Sequence, residues 1–208
     1  NEAGQGSAPH AAAAAEVSHP AKQGLVQAFS VYIDTLFICS ATAFMILITG
    51  MYNVIAPGGK FIVENIPGAE IGPQFTQMAV ESTIGHGSIF VAASLFFFAF
   101  TTIMAYYYIA ETNVAYFEKN EKQKWMITAL RIMMLASTFY GTMRTATLAW
   151  GLGDIGVGAM AWLNIIAILL LTKPAIKALR DYEDQKARGI DPVFNAEKLG
   201  IKNADFWK

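Results

Sequence analysis

The stretch Ser88 to Tyr108, SIFVAASLFFFAFTTIMAYYY, is an unbroken apolar run that contains no charged residue. In an α-helix, about 21 residues rising about 1.5 Å each would measure about 31 Å, the thickness of a bilayer's hydrocarbon core. Thr101 and Thr102 lie near the middle of the run. Polar atoms at that depth must find partners inside the protein. The sequence therefore predicts a membrane-spanning helix with two adjacent hydroxyl groups at its centre.

The composition of the whole chain also indicates an integral membrane protein. Its 208 residues are 54% hydrophobic and 15% charged, whereas a soluble domain has about 25% charged residues. The net charge of −1 gives no basic surface for nucleic acid. The single cysteine, Cys39, has no partner for an intramolecular disulfide. No nucleophile-elbow or HExxH motif is present, so we do not expect an enzyme.

Three further apolar runs predict crossings of the bilayer. They are Gln23 to Met51, Trp125 to Met143 and roughly Leu148 to Leu171. The first of them carries Gln27, Ser30 and Asp34 at helical spacing on one polar stripe. A carboxylate within a membrane is energetically expensive, so Asp34 should face the protein interior. Three alternatives remain for Asp34: ligand contact, a structural hydrogen bond, or protonation.

Other polar residues of these runs also predict contacts. Arg131 needs a partner at its depth, and Glu111 and Asp154 are the candidates. The last run opens with closely spaced glycines, which let another backbone approach. These are Gly151, Gly153, Gly156 and Gly158.

The chain begins with a segment rich in small residues, Asn1 to Pro9, which contains Gly4-x-Gly6. The alanines from Ala11 to Ala15 then favour a short helix, with Ser7 as its cap and Pro9 in the first turn. Free N–H groups at such a helix start, beside a glycine segment, can bind a carboxylate. A simple tight turn is the alternative explanation of the glycine pair.

The remaining segments are predicted to connect or to lie on the surface. Tyr52 to Thr83 is rich in glycine and proline and should form turns, with a short amphipathic helix at Gln74 to Ser82. Glu118 to Lys124 is a charged turn. Pro174 should end or kink the last crossing, and Ile176, Leu179 and Tyr182 then suggest a short surface helix.

The distribution of lysine and arginine predicts orientation. Lys173, Lys177 and Arg180 lie close to the membrane end of the last crossing, so residues 183–208 should form a cytoplasmic tail. The long loop after the first crossing carries one lysine against three glutamates and should lie outside.

Several stretches, in this order, resemble the alanine or glycine:cation symporter family, also called sodium:alanine symporters. They are NEAGQGSAPHAAAAA, QGLVQAFSVYIDTLFICSATAF, FAFTTIMAYYYIAE and WLNIIAILLL. The resemblance extends from Asn1 to about Tyr182. It implies an all-α integral membrane protein with the inverted-repeat fold of the bacterial leucine transporter. This chain would supply the second repeat, core helices six to ten, and would therefore be a fragment without the first repeat.

The resemblance also implies which residues meet the substrate. Gly4 and Gly6 would lie in an unwound segment beside the amino acid, and Thr102 would contact it. Tyr106 stands where the family usually has tryptophan in the substrate pocket. A smaller aromatic residue with a hydroxyl at this position could alter selectivity for the substrate side chain.

A sodium site is implied beside the amino acid. Thr101 would contribute its hydroxyl oxygen to the ion, and the backbone carbonyl of Phe98 is a further candidate ligand. Sodium would be co-transported, and no organic cofactor is expected.

The function implied by the resemblance is sodium-coupled symport of alanine or glycine across the plasma membrane by alternating access. Residues 1–182 would form the transmembrane bundle, in contact with lipid, the amino acid and the missing N-terminal repeat. Two alternatives remain open. The chain could be an inert or scaffold-like membrane fragment, or transport could be coupled to protons carried by Asp34.

Overall fold

The structure is a computed structural model that describes residues 3–70, 72–117, 124–204 and 207. Their contacts divide the chain into two compact units. Unit 1 comprises Asn1–Ile33 and Asp154–Lys208, and unit 2 comprises Asp34–Gly153. The charged turn predicted at Glu118 to Lys124 lies outside the described residues, except that Lys124 begins a helix.

The described residues form seven α-helices, one π-helical segment and two short strands. In chain order these are α1 (Ala8–Ala13), α2 (Pro20–Ile33), the π segment (Asp34–Cys39), α3 (Ser40–Thr49), β1 (Asn53–Ile55), β2 (Phe61–Glu64), α4 (Gln74–Glu81), α5 (Gly87–Phe117), α6 (Lys124–Thr142) and α7 (Ala146–Ala187).

Three helical stretches among the described residues are long and apolar enough to cross a membrane. They are Pro20–Thr49, Gly87–Tyr116 and Ala146–Ala187. Three of the four predicted crossings are therefore helices of sufficient length and hydropathy, which supports a multi-pass membrane protein. The fourth, α6, is a helix of 19 residues, but Arg131 and several hydroxyl side chains lower its hydropathy. Its crossing of the bilayer stays a prediction.

In unit 2, α4 packs against the start of α5. A Cβ atom added to Gly87 would lie 2.7 Å from the backbone carbon of Val80, so only glycine fits there. The Glu81 carboxylate accepts a hydrogen bond of 2.7 Å from the Ser88 backbone N–H. This bond stabilises the ionised carboxylate and lowers the pKa of Glu81. The predicted helix at Gln74 to Ser82 is therefore confirmed, and it caps the long apolar helix.

The segment from Tyr52 to Thr83, predicted to form turns and a short helix, also holds an antiparallel hairpin of β1 and β2 with a bulge between Val54 and Ile55. Asn53 fixes its base, because its side chain exchanges hydrogen bonds of 2.7 and 2.8 Å with the backbone of Ile66. The two strands are only three and four residues long. Glycines and prolines surround them, so turn signals dominate the local sequence.

In unit 1, the residues after α7 fold back to form the best-buried part of the structure. We call residues 188–204 the strap. Phe194 and Ala196 of the strap are buried with Ala178 of α7. The strap also reaches the start of α2, where His19 is fully buried.

The prediction that Pro174 ends the last crossing is wrong, because α7 continues through it to Ala187. The alternative, a kink at Pro174, stays a prediction. Proline removes one helical hydrogen bond. Packing of the strap on Ala178, one turn further on, stabilises the continuation. The short separate helix predicted from Ile176, Leu179 and Tyr182 is therefore the last part of α7. The division into a bundle over 1–182 and a cytoplasmic tail over 183–208 stays a prediction, and α7 runs across that boundary.

Candidate functional site

The residues singled out in the sequence fall into both units. Gly4 and Gly6 belong to unit 1, whereas Phe98, Thr101, Thr102 and Tyr106 belong to unit 2. Each group is therefore described within its own unit.

The glycine segment of unit 1 is irregular, as predicted. Gly4 and Gly6 have φ angles of 78° and 117°, values that residues with a Cβ atom rarely adopt. Helix α1 follows at Ala8 and ends at Ala13, so the predicted short helix is confirmed. Ser7 occupies the cap position and Pro9 lies in the first turn, but the Ser7 side chain makes no capping hydrogen bond.

Two residues of α7 hold this segment. The Asn164 side chain donates a hydrogen bond of 2.8 Å to the Gly4 carbonyl oxygen. Gly6 is buried against the same helix, and a Cβ atom on it would lie 2.9 Å from Cγ of Met160 and 3.2 Å from Cβ of Asn164. The glycine pair is therefore more than a surface turn, because its backbone is fitted to one face of α7.

A cavity of about 390 Å³ lies beside the glycine segment, within unit 1. Its lining includes Gly4, Asn164 and two members of the predicted polar stripe, Gln27 and Ser30. The remaining lining residues are mostly small and apolar. Ligand cavities of about 300–1,000 Å³ are usual, so this one suits a small solute.

In unit 2, the Thr101 hydroxyl donates to the carbonyl oxygens of Phe97 and Phe98, both at 3.0 Å. This is the back-bonding common for threonine in helices. A hydroxyl that donates its proton keeps lone pairs for a cation. The Thr101 hydroxyl oxygen and the Phe98 carbonyl oxygen, 3.0 Å apart, are close enough to contact one ion together.

The other predicted site residues of α5 are accessible. The Phe98 side chain is 68% exposed and Tyr106 is 40% exposed. Thr102 is also exposed. Their roles toward sodium and the amino acid stay predictions.

Arg131 of α6 contacts Glu111, one of its two predicted partners. Its Nε atom donates to the Tyr107 hydroxyl at 2.8 Å, and its Nη2 atom lies 3.5 Å from Glu111 Oε1. The Tyr107 hydroxyl in turn donates to Glu111 Oε1 at 2.8 Å. These three side chains join α5 to α6 beside a groove of about 420 Å³ that Tyr107 and Arg131 help to line.

Asp34 is the first residue of the π segment. Such segments within helices are frequent at functional sites. The sequence signalled Asp34 through its charge, but it gave no sign of the π geometry.

The profile of the sodium:alanine symporter family matches residues 1–196. The chain belongs to the sodium:alanine symporter family. Members of this family are transporters rather than enzymes, and the resemblance noted in the sequence is confirmed.

Three relatives illustrate the range of the family. The putative sodium/proton-dependent alanine carrier protein YrbD of Bacillus subtilis is 66% identical over 100% of this chain and 43% of its own length. The sodium/proton-dependent alanine carrier protein of Bacillus sp. (strain PS3) is 61% identical over 100% of this chain and 47% of its length. The probable sodium/glutamine symporter GlnT of Bacillus subtilis is 42% identical over 98% of this chain and 39% of its length.

The chain thus spans less than half the length of these family members. No solved structure matches the chain.

Sequence reasoning missed two residues of unit 1. Asn164 lies in an apolar run, and its lone amide was the only signal that it holds the glycine segment. His19 directly precedes the proline that begins α2, and nothing near it in the sequence indicates that it is buried.

Proposed function

We propose that this chain forms the second repeat of a carrier that imports a small neutral amino acid, with alanine as the first candidate, together with a cation. The two relatives at 66% and 61% identity carry alanine in their names. The observation that carries the proposal is the glycine segment, which Asn164 holds beside a small cavity.

The chemistry of this segment suits an amino acid. Secondary transporters bind their substrates where a helix is interrupted and backbone N–H and C=O groups are released from helical bonding. Gly4 and Gly6 lie in such a segment, and Gly4 lines the cavity, where Gln27 and Ser30 add polar groups to a largely apolar lining. The volume of about 390 Å³ lies within the range that is usual for small-molecule sites.

We further propose sodium as the coupling ion, held by the Thr101 hydroxyl and the Phe98 carbonyl, with Thr102 and Tyr106 toward the amino acid. Binding of both solutes would favour one arrangement of the broken helix, because coupling requires that ion and substrate prefer the same state. The remaining ligands would come from an N-terminal repeat, and the C-terminus would lie in the cytoplasm. The gene upstream of Asn1 should then encode five further spans.

The proton is the second candidate ion. Asp34 lies at the start of the π segment, and a carboxylate within a membrane helix is a usual proton carrier. The names of the two relatives at 66% and 61% identity mention sodium and protons together.

The test is uptake of labelled alanine by the full-length carrier in liposomes. A sodium gradient at equal pH should drive accumulation, and an inward pH gradient without sodium should not. Accumulation driven only by the pH gradient, and lost in Asp34→Asn, would replace sodium with the proton. No accumulation under either gradient, by a carrier that is folded and correctly inserted, would contradict the proposed transport of alanine.

A further inference from the structure

His19 lies where three elements of unit 1 meet. It precedes α2, its ring contacts Tyr182 of α7 with ring centroids 5.4 Å apart, and it contacts Phe194 of the strap at 5.3 Å. The side chain has no exposed surface. A fully buried histidine among aromatic rings is costly to protonate, because the charged ring loses its water.

The hydrogen bonds of His19 determine where a proton would bind. The Ala21 backbone N–H donates to Nδ1 of His19 at 3.1 Å, so the neutral ring carries its hydrogen on Nε2. Nε2 lies 3.4 Å from Oδ2 of Asp181, and no well-aligned hydrogen bond to it is found among the described residues. An added proton must therefore bind Nδ1 and break the bond from Ala21.

Charged groups around the ring act in opposite directions. Asp181 of α7 favours the protonated ring, whereas Lys22 of α2 disfavours it. Lys22 is itself paired with Asp191 of the strap at 2.6 Å. The positive end of the α2 dipole also disfavours a cation at this position. Burial is the largest effect, and it lowers the pKa of His19 below its ordinary value.

The strap is attached to α2 beside this histidine. The Phe194 N–H donates to the Ser18 carbonyl at 2.9 Å, and the Ser18 hydroxyl donates to the Pro192 carbonyl at 2.9 Å. If the His19 ring moves out into water, Phe194 loses the ring on which it packs. Movement of the His19 ring and loss of its contact with the strap are therefore coupled.

We propose that His19 and Asp181 form a proton-binding site, and that proton uptake at His19 releases the strap from the start of α2. This site is distinct from Asp34 and does not depend on the proposed transport function. Its ligand is the proton itself, and acidification is the signal.

The sign follows from linkage. The docked strap binds fewer protons at His19 than the released strap, so docking weakens as pH falls below about 6.5, the pKa of an exposed histidine. If the docked ring stays neutral down to pH 5, the ratio of released to docked strap rises about 30-fold between pH 7.5 and pH 5. A docked-state pKa nearer to 6.5 gives a smaller rise.

The experiment places a spin label on the exposed strap residue Glu197, as Glu197→Cys, in the full-length carrier without other cysteines. Electron paramagnetic resonance then measures the mobile fraction of the label from pH 7.5 to 5. We expect the fraction to rise with acid and to become independent of pH in His19→Asn, whose amide oxygen can still accept from Ala21. His86→Asn, a change of an exposed histidine in unit 2, is the matched control and should keep the response.

Asp181→Asn gives a second, opposite readout. It removes the charge that favours the protonated ring in the docked state, so the docked and released states differ more in proton binding. Release should therefore begin at higher pH and show a larger acid response. A label that shows no pH response, one that becomes more immobile in acid, or a response that survives in His19→Asn would overturn the proposal.

Discussion

Asn164 of α7 donates a hydrogen bond of 2.8 Å to the Gly4 carbonyl, and so joins two segments that are 160 residues apart in the sequence. Gly4 lies in a segment without regular backbone hydrogen bonding, so this side chain replaces a bond that a helix would provide. The relationship ties the position of the predicted substrate segment to the packing of α7.

Asn164→Leu should therefore weaken alanine binding. The change keeps the volume but removes the donor, and loss of one such bond is worth about 0.5–1.5 kcal/mol, or about 2–10-fold in half-saturation. The measurement is the alanine concentration dependence of uptake by the full-length carrier. Asn113→Leu is the control, because Asn113 donates within its own helix α5, to the Ile109 carbonyl. Equal effects of both variants would contradict a positioning role for Asn164.

Gly6→Ala should destabilise the protein more than Gly4→Ala. Both positions have positive φ, which costs about 1–2 kcal/mol for alanine. Only Gly6 would also bring its Cβ atom within 2.9 Å of Met160, and such overpacking adds about 1–3 kcal/mol. Thermal unfolding of each variant measures the difference. Met160→Ala should recover part of the loss in Gly6→Ala, and strict additivity of the two changes would rule out the steric explanation.

Thr101→Ala should raise the sodium concentration needed for half-maximal uptake, as the proposed function requires. Loss of one oxygen ligand to a charged group corresponds to about 1.5–3 kcal/mol, or about 10–100-fold. Thr101→Ser keeps the hydroxyl and should restore the sodium response. Thr112→Ala removes a similar bond to the carbonyl four residues earlier, at Tyr108, and should change nothing. If Thr112→Ala raises the sodium requirement as much as Thr101→Ala does, the loss of the helical hydrogen bond explains the change and a sodium ligand is not needed.

Thr102→Ala should act on the amino acid instead. Alanine half-saturation should rise about 2–10-fold, while the sodium requirement changes little. The two concentration series, measured on the same preparations, separate the two roles. Unchanged uptake in both threonine variants, at normal expression, would refute the assignment of the pair.

Packing rather than surface charge should hold the strap. Phe194 is buried between His19 and Trp207, so Phe194→Ala should cost about 3–5 kcal/mol and release the strap at every pH. Asp191→Asn removes the pair with Lys22, but the Asp191 side chain is 76% exposed, so little change is expected. The mobility of a label on Glu197 compares the two. A larger effect from Asp191→Asn would show that the charge pair dominates.

The sequence by itself determined the long apolar helices, the amphipathic α4, the irregular glycine segment and the family. Each of these depends on the composition or order of neighbouring residues. Length and hydropathy decide whether a helix such as α5 can cross a bilayer, and helical periodicity decides which face of α4 is apolar.

Only the tertiary structure decided where His19, Asn164 and Pro174 stand. The burial of His19 depends on Phe194 and Tyr182, and the role of Asn164 depends on a carbonyl 160 residues away. Helix α7 continues through Pro174 because the strap packs on Ala178 beyond it. Contacts between distant segments depend on how the whole chain packs, and no local pattern records them.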